Sequence, residues 1–177
     1  MRLQPHLAAT LVATLALASC VSAPPPVQKP IAMAPAPAPP PVTAPPPLAN
    51  DWNDWPLTPG TWRYAADSRG TRAMFGNGGD ANVVLRCDRG AQRMYLSRTG
   101  TATTPLIVRT SSATRSLPVQ PTGGAQPYVA AALATNDPLL DAMAFSRGRV
   151  AIQQDGAPIL VVPTYAEIGR VIEDCRG

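Results

Sequence analysis

From Thr61 onward, apolar and polar residues alternate with a period of two, in short runs separated by turn residues. Trp62, Tyr64 and Ala66 alternate with Arg63 and Ala65, which predicts a half-buried strand. Residues 71–75 are its expected partner across the turn Asp67-Ser68-Arg69-Gly70. In NVVLRC, Val83, Leu85 and Cys87 share one face. Asp88-Arg89-Gly90 reads as a short loop, and in RMYLSR Met94 and Leu96 oppose Arg93, Tyr95 and Ser97. Together these form a hairpin pattern. Residues 106–110 and 113–117 make a further predicted pair, followed by a Pro/Gly loop at 120–126. Residues 128–134 stay open: their alanines suit a helix, their place after a series of strands suits a strand. Residues 149–154 and 158–162 flank Asp155-Gly156, another hairpin.

The period lengthens twice. Asp137-Pro138 combines an acidic cap with proline in the first turn, and Leu139, Leu140 and Met143 then bury one side of a short helix near 137–145. At the end of the chain, Thr164 and Glu167 have the spacing of a capping box. Tyr165, Ile168, Val171, Ile172 and Cys175 share one face of a helix near 165–175, with Arg170 and Asp174 as an i, i+4 pair on the other. The expected fold is mainly β (α+β): an antiparallel β-sandwich or partly open barrel, with the last helix packed on the sheet. Residues 50–177 are long enough to bury a core of their own.

The first 50 residues follow different rules. Arg2 precedes an uncharged run of Leu, Ala, Val and Thr that ends on LALASC, the layout of a secretory signal. About 12 apolar residues fall short of the roughly 20 that a spanning helix needs. Leu17-Ala18-Ser19-Cys20 resembles the lipobox of bacterial lipoproteins. That resemblance implies a leader over 1–19 that is removed, and Cys20 as the acylated first residue of the mature chain. Several acyl chains anchor stably, each buried methylene adding about 0.8 kcal/mol. Val21 and Ser22 stand where an aspartate tends to retain such lipoproteins at the inner membrane, so the resemblance implies an outer-membrane protein facing the periplasm. A surface-exposed orientation stays open.

Twelve of the 22 prolines lie between Pro24 and Pro47. Proline fixes φ and lacks a donor, so residues 20–49 read as a lipidated cysteine followed by a Pro-rich stalk without helix or sheet. Extended as polyproline II, the Pro24–Pro47 stretch reaches on the order of 70 Å. A PxxP ligand for a partner is the other reading of that stretch.

Charge and chemistry narrow the function. The net charge is +4, but from residue 50 onward 13 arginines face 11 acids, without the clustering that nucleic-acid binding needs. The single histidine, His6, lies in the leader, so the mature chain lacks histidine-based triads and histidine-ligated metals. The glycines of FGNGGDA lack a following helix and read as a loop. Asp137 with Asp141, and Glu173 with Asp174, are the carboxylate pairs that a hydrolase would have to use. Ser146 in FSRGR sits in no nucleophile motif.

Cys87 and Cys175 fall on the inward faces of a strand and of the last helix. In an exported chain they are expected to form a disulfide. Two free thiols or a metal pair are the alternatives, and two thiols without histidine make a poor zinc site. Trp52 and Trp55 in DWNDWP either plug the core where the stalk joins it or stack on sugar rings. Arg86, Arg93, Arg98, Arg109 and Arg115 recur along the strands. On one shared outer face they would form a basic surface for phosphate-rich lipid or an acidic protein; otherwise they solvate the sheets.

The stretches DWNDWPLTPGTWRY, LRCDRG, YLSR, VRTSS, DPLLDAMAFSRGR and EIGRVIEDCRG resemble a family of uncharacterised lipoproteins from sphingomonad-type alphaproteobacteria. That resemblance implies architecture and no activity. Trp62, Cys87 and Cys175 are, more remotely, similar in order to the invasion-associated locus B family of small exported β-rich proteins. The expectation is thus a lipid-anchored cell-envelope protein with a non-enzymatic binding or scaffolding role in the periplasm. It needs no cofactor and takes an envelope protein, glycan or lipid as partner, not nucleic acid. A glycan- or lipid-binding or enzyme-inhibitor module is the first alternative, a carboxylate-dependent hydrolase the second.

Overall fold

Among the described residues, ten strands alternate with their turns much as the two-residue period predicts. The computed structural model describes residues 49–177, within a unit that begins at Pro45. The leader, Cys20 and the Pro-rich stretch lie outside the described residues. Strands β1 (Thr61–Asp67), β2 (Gly70–Gly76), β3 (Val83–Asp88) and β4 (Arg93–Thr99) form a meander. Next come β5 (Leu106–Arg109), β6 (Thr114–Leu117), β7 (Gln120–Pro121) and β8 (Tyr128–Ala134). Helix α1 (Pro138–Ala144), β9 (Arg149–Gln153), β10 (Leu160–Pro163) and helix α2 (Ala166–Arg176) complete the chain.

The strands build two antiparallel sheets, ordered β1-β2-β3-β4-β8-β7 and β10-β9-β5-β6, and neither closes into a barrel. The fold is a mainly β (α+β) sandwich with a C-terminal helix. Its core joins the inward residues of both sheets and both helices: Phe75, Leu85, Leu96, Val108, Ile152, Leu140 and Ile168 are all fully enclosed. Helix α2 lies on β1, β2 and β3 of the larger sheet, and α1 lies against α2. The outer face of the larger sheet carries no layer of described elements.

Residues 128–134 are a strand, because β8 pairs along its whole length with β4, from Arg93↔Ala134 to Thr99↔Tyr128. Long-range pairing overrides the helical preference of its alanines. The expected 120–126 loop begins with β7, a two-residue rung on β8. Asp137 caps α1 as expected, its carboxylate accepting from the Leu139 amide.

Helix α2 departs from expectation at its start. Tyr165, not Thr164, is the residue before the first turn, and no side chain caps it. The Thr164 hydroxyl is buried without a partner among the described residues, and its backbone amide donates to the carbonyl of Gly148 instead of to the Glu167 side chain. Tyr165 points outward, 55% exposed, while Ile168, Val171 and Ile172 carry the buried stripe. Arg170 and Asp174 do not pair with each other. They grip Tyr64 of β1 instead: Arg170 lies 3.8 Å over its ring and Asp174 accepts from its hydroxyl at 2.7 Å. A neighbouring aromatic ring outcompetes a solvated ion pair, which is worth only a few tenths of a kcal/mol.

Cys87, wholly enclosed in β3, and Cys175, in the last turn of α2, form a disulfide with Cα atoms 5.4 Å apart. The bond ties the end of α2 to the middle of the larger sheet. Arg176 adds a second tie, its guanidinium holding both carboxylate oxygens of Asp141 on α1.

Candidate functional site

The five strand arginines do not share a face, because the pleat distributes them. Arg86 and Arg93 lie on the outer face of the larger sheet, across from Tyr95 and Asp88 respectively. Arg98 sits in register with Val83 and Val129 and turns into the core, 3% exposed. Arg109 belongs to the other sheet, and its guanidinium lies 6.0 Å from the ring centre of Trp55. Arg115 pairs with Asp137 at the start of α1. A single basic surface made of all five is therefore overturned.

The tryptophans do not form an exposed pair. Trp55 is 8% exposed and packs on Ala151 and Val161, with half-buried Trp52 beside it. Ala151 and Val161 belong to the outward row of the smaller sheet, so this segment covers that sheet's outer face rather than the end of the main core. The Trp55 indole donates to the carbonyl of Ala49, and Arg149 donates to the carbonyl of Trp55. Further on, the Thr58 amide donates to the carbonyl of Val161, and the Thr58 hydroxyl accepts from its amide, which occupies part of the β10 edge.

Of the carboxylates that invited a catalytic reading, Asp137 and Asp141 go to separate arginines, and Asp174 accepts from the Tyr64 hydroxyl. Two further aspartates also hold the frame: Asp67 binds Arg72 and Arg86 together, and Asp88 binds Arg69. Arg86 holds Asp67 below the usual aspartate range, and Arg69 and Arg176 do the same for Asp88 and Asp141. Burial raises Asp137, but its bonds to Arg115 and the Leu139 amide bring it down overall. The unfolded chain therefore takes up these protons first. Their contribution is present above the ordinary value of 3.8 and is lost as pH falls through the lower folded values. The urea midpoint should hold from pH 7 to about 5 and drop by pH 3. An unchanged midpoint at pH 3 would show that these pairs contribute nothing measurable.

Ser146 is structural: its buried hydroxyl donates to the carbonyl of Arg149 and accepts from the Ser111 amide. Gly76 ends β2, and Gly78 and Gly79 lie in the β2–β3 loop. Among the described residues, no cluster of three His, Cys, Asp or Glu is placed to hold a metal, and no helix is long and apolar enough to cross a membrane.

What remains is a groove on the uncovered face of the larger sheet, about 570 Å³ in volume. Its floor is small: Ser97 of β4 with Ala130 and Ala132 of β8. One wall is Tyr95 with Arg86 and Arg69; the other is Pro118 and the β7 segment, residues 120–122. Register creates this shape, since Arg86, Tyr95 and Ala132 lie side by side across three strands. Large side chains on β3 and β4 then face alanines on β8. The guanidinium of Arg86 is fixed by two bonds to Asp67, at 2.7 and 2.8 Å, and so is held ready without rearrangement. The sequence signal was the alternation in 128–134, which puts Ala130 and Ala132 on the face opposite Val129, Ala131 and Leu133. It was hidden while helix and strand remained open for that stretch.

No protein-family model, curated protein or solved structure matches the chain.

Proposed function

We propose that the protein is a lipid-anchored binding module of the cell envelope, exported through its leader, held by Cys20 and spaced from the membrane by its Pro-rich stretch. The groove between Tyr95 and the β7 segment takes an extended part of an envelope protein. The observation that carries this reading is the shape of that face. A floor of alanine and serine lets a chain approach the sheet closely, and Tyr95, Arg86 and Pro118 supply walls of the kind that orient a ligand. The buried Trp55 favours a protein partner over a sugar, because its ring already stacks on the smaller sheet. A scaffolding role would use the same surface.

The test is crosslinking in cells with the tagged, full chain, followed by mass spectrometry. The expected result is a reproducible envelope protein whose capture falls at least tenfold with Tyr95→Ala and with Ala132→Trp, which fills the floor. Capture that both variants leave unchanged would move the binding surface elsewhere. The anchor has its own readout: Cys20→Ser should release the protein from the membrane fraction, and continued sedimentation with membranes would refute lipidation.

A further inference from the structure

Helix α2 turns a second side away from the sheet. Ile168, Val171 and Ile172 are buried, while Ala166, Arg170 and Glu173 are exposed and Gly169 is half-buried among them. Ala144, Phe145 and Tyr165 lie against this side and complete a recess of about 510 Å³. Phe145 is 82% exposed, the most exposed large apolar side chain among the described residues. Its backbone is fixed at the C-cap of α1, where its amide donates to the Asp141 carbonyl at 2.9 Å, and the next residue, Ser146, is buried and bonded to Arg149. A phenylalanine held out of the core forgoes about 1.5–3 kcal/mol of burial. Gly169 is equally unexplained within one chain. A β-carbon there would meet nothing within 4 Å, so internal packing does not ask for glycine, which weakens a helix by about 1 kcal/mol relative to alanine. Arg170 and Glu173 line the same recess, and neither forms an ion pair among the described residues.

We infer that this patch is the interface of a symmetric dimer, occupied by a second copy of the chain. Three features select a copy of itself. First, knob and hole lie side by side on one surface, which is the condition for a self-complementary contact about a two-fold axis. Phe145 of each copy enters the recess of the other, over a floor of Ala144, Ala166 and Gly169. Second, Gly169 then has a use: with no side chain at that position, the entering ring reaches the helix backbone. Third, the rim carries one unpaired charge of each sign, one turn apart. Two α2 helices crossing antiparallel near Gly169 set Arg170 of each copy against Glu173 of the other. An acidic partner would meet Glu173 with like charge, and a basic partner would meet Arg170 so. Helix α2 lies on the inner side of the larger sheet, so the dimer leaves the groove on the outer face of each copy open. The inference stands without the reading of that groove.

Sedimentation equilibrium of the full chain in density-matched detergent, with micelles in excess over protein, measures the association. The expected result is a reversible monomer–dimer equilibrium with a dissociation constant below about 100 μM. Phe145→Ser should weaken it at least tenfold. Gly169→Leu fills the recess and should do the same, while its urea midpoint holds or rises, because leucine is the better helix former and the space around it is open in one chain. Loss of folding therefore cannot imitate loss of the dimer in that variant. Arg170→Glu and Glu173→Arg should each weaken the dimer, and the double variant should recover most of what either loses, as only a surface that meets itself requires. A chain that stays monomeric at about 100 μM, an association that Phe145→Ser and Gly169→Leu leave unchanged, or a double variant no stronger than the singles would each overturn the assignment. So would a monomer whose Phe145→Ser variant loses a different envelope protein captured in cells, because the patch would then belong to that protein.

Discussion

Cys175→Ser should lower the unfolding free energy by about 4 kcal/mol, the largest effect expected from any single side chain outside the core. The reasoning begins with sequence distance. The two cysteines are 88 residues apart, so the bond removes a long loop from the unfolded ensemble. Little in the native state opposes this effect, because strand β3 and the last turn of α2 already bring the two Cα atoms to 5.4 Å. Cys175 is the better partner to change: it is only partly buried, whereas serine at Cys87 would also leave a hydroxyl in the core. Urea unfolding with and without reductant is the measurement. Reductant should bring the parent protein down to the level of the variant and leave the variant unmoved. A parent protein indifferent to reductant, with both thiols open to alkylation in denaturant, would show that the bond does not form.

Gly70→Ala should cost about 3 kcal/mol or more, although it adds only one methyl group. Gly70 opens β2 with φ +144°, a conformation that side chains rarely adopt. A β-carbon there would overlap the carbonyl oxygen of Cys87 on the next strand. The clash is with backbone, and that backbone is fixed: the Arg89 amide donates to the carbonyl of Arg69, and Cys87 is held through the disulfide. Neither strand can yield without disturbing the register that follows at Arg72↔Arg86. Thermal and urea unfolding of Gly70→Ala against Gly78→Ala make the comparison. Gly78 also has positive φ, +99°, but has open space around it, so it isolates the cost of conformation from that of overlap. Equal losses in the two variants would remove the packing part of the argument.

Much of the sandwich was legible because period two is a strong signal when each strand has one buried face. Val83, Leu85 and Cys87, and then Met94 and Leu96, are enclosed as their alternation predicts. The cysteine pairing was legible for the same reason, since both residues stood on inward faces. Alternation also placed Arg98 inward, in step with Met94 and Leu96, yet charge is ordinarily an argument for the outside. Trp52 and Trp55 gave no sign that they cover the back of the smaller sheet, because that contact depends on where β9 and β10 meet residues 52–55 in space. The capping box failed because the Thr164 amide is drawn to Gly148, a long-range contact that spacing cannot show. The groove had no local motif, since its floor and walls come from β3, β4, β7 and β8 and assemble only through register.

The bond between Cys87 and Cys175 also makes the chain a closed ring. Strands β4 through β10 and both helices lie within it, and β1 and β2 lie outside. Tension applied at residue 49 can therefore draw out only the chain up to Cys87, roughly 130 Å at about 3.4 Å per residue. Beyond that point the load passes across the sulfur atoms, and the ring carries no force along its backbone. A backbone cut anywhere inside it leaves two pieces still joined, so a nicked molecule keeps its full mass until it meets a reductant.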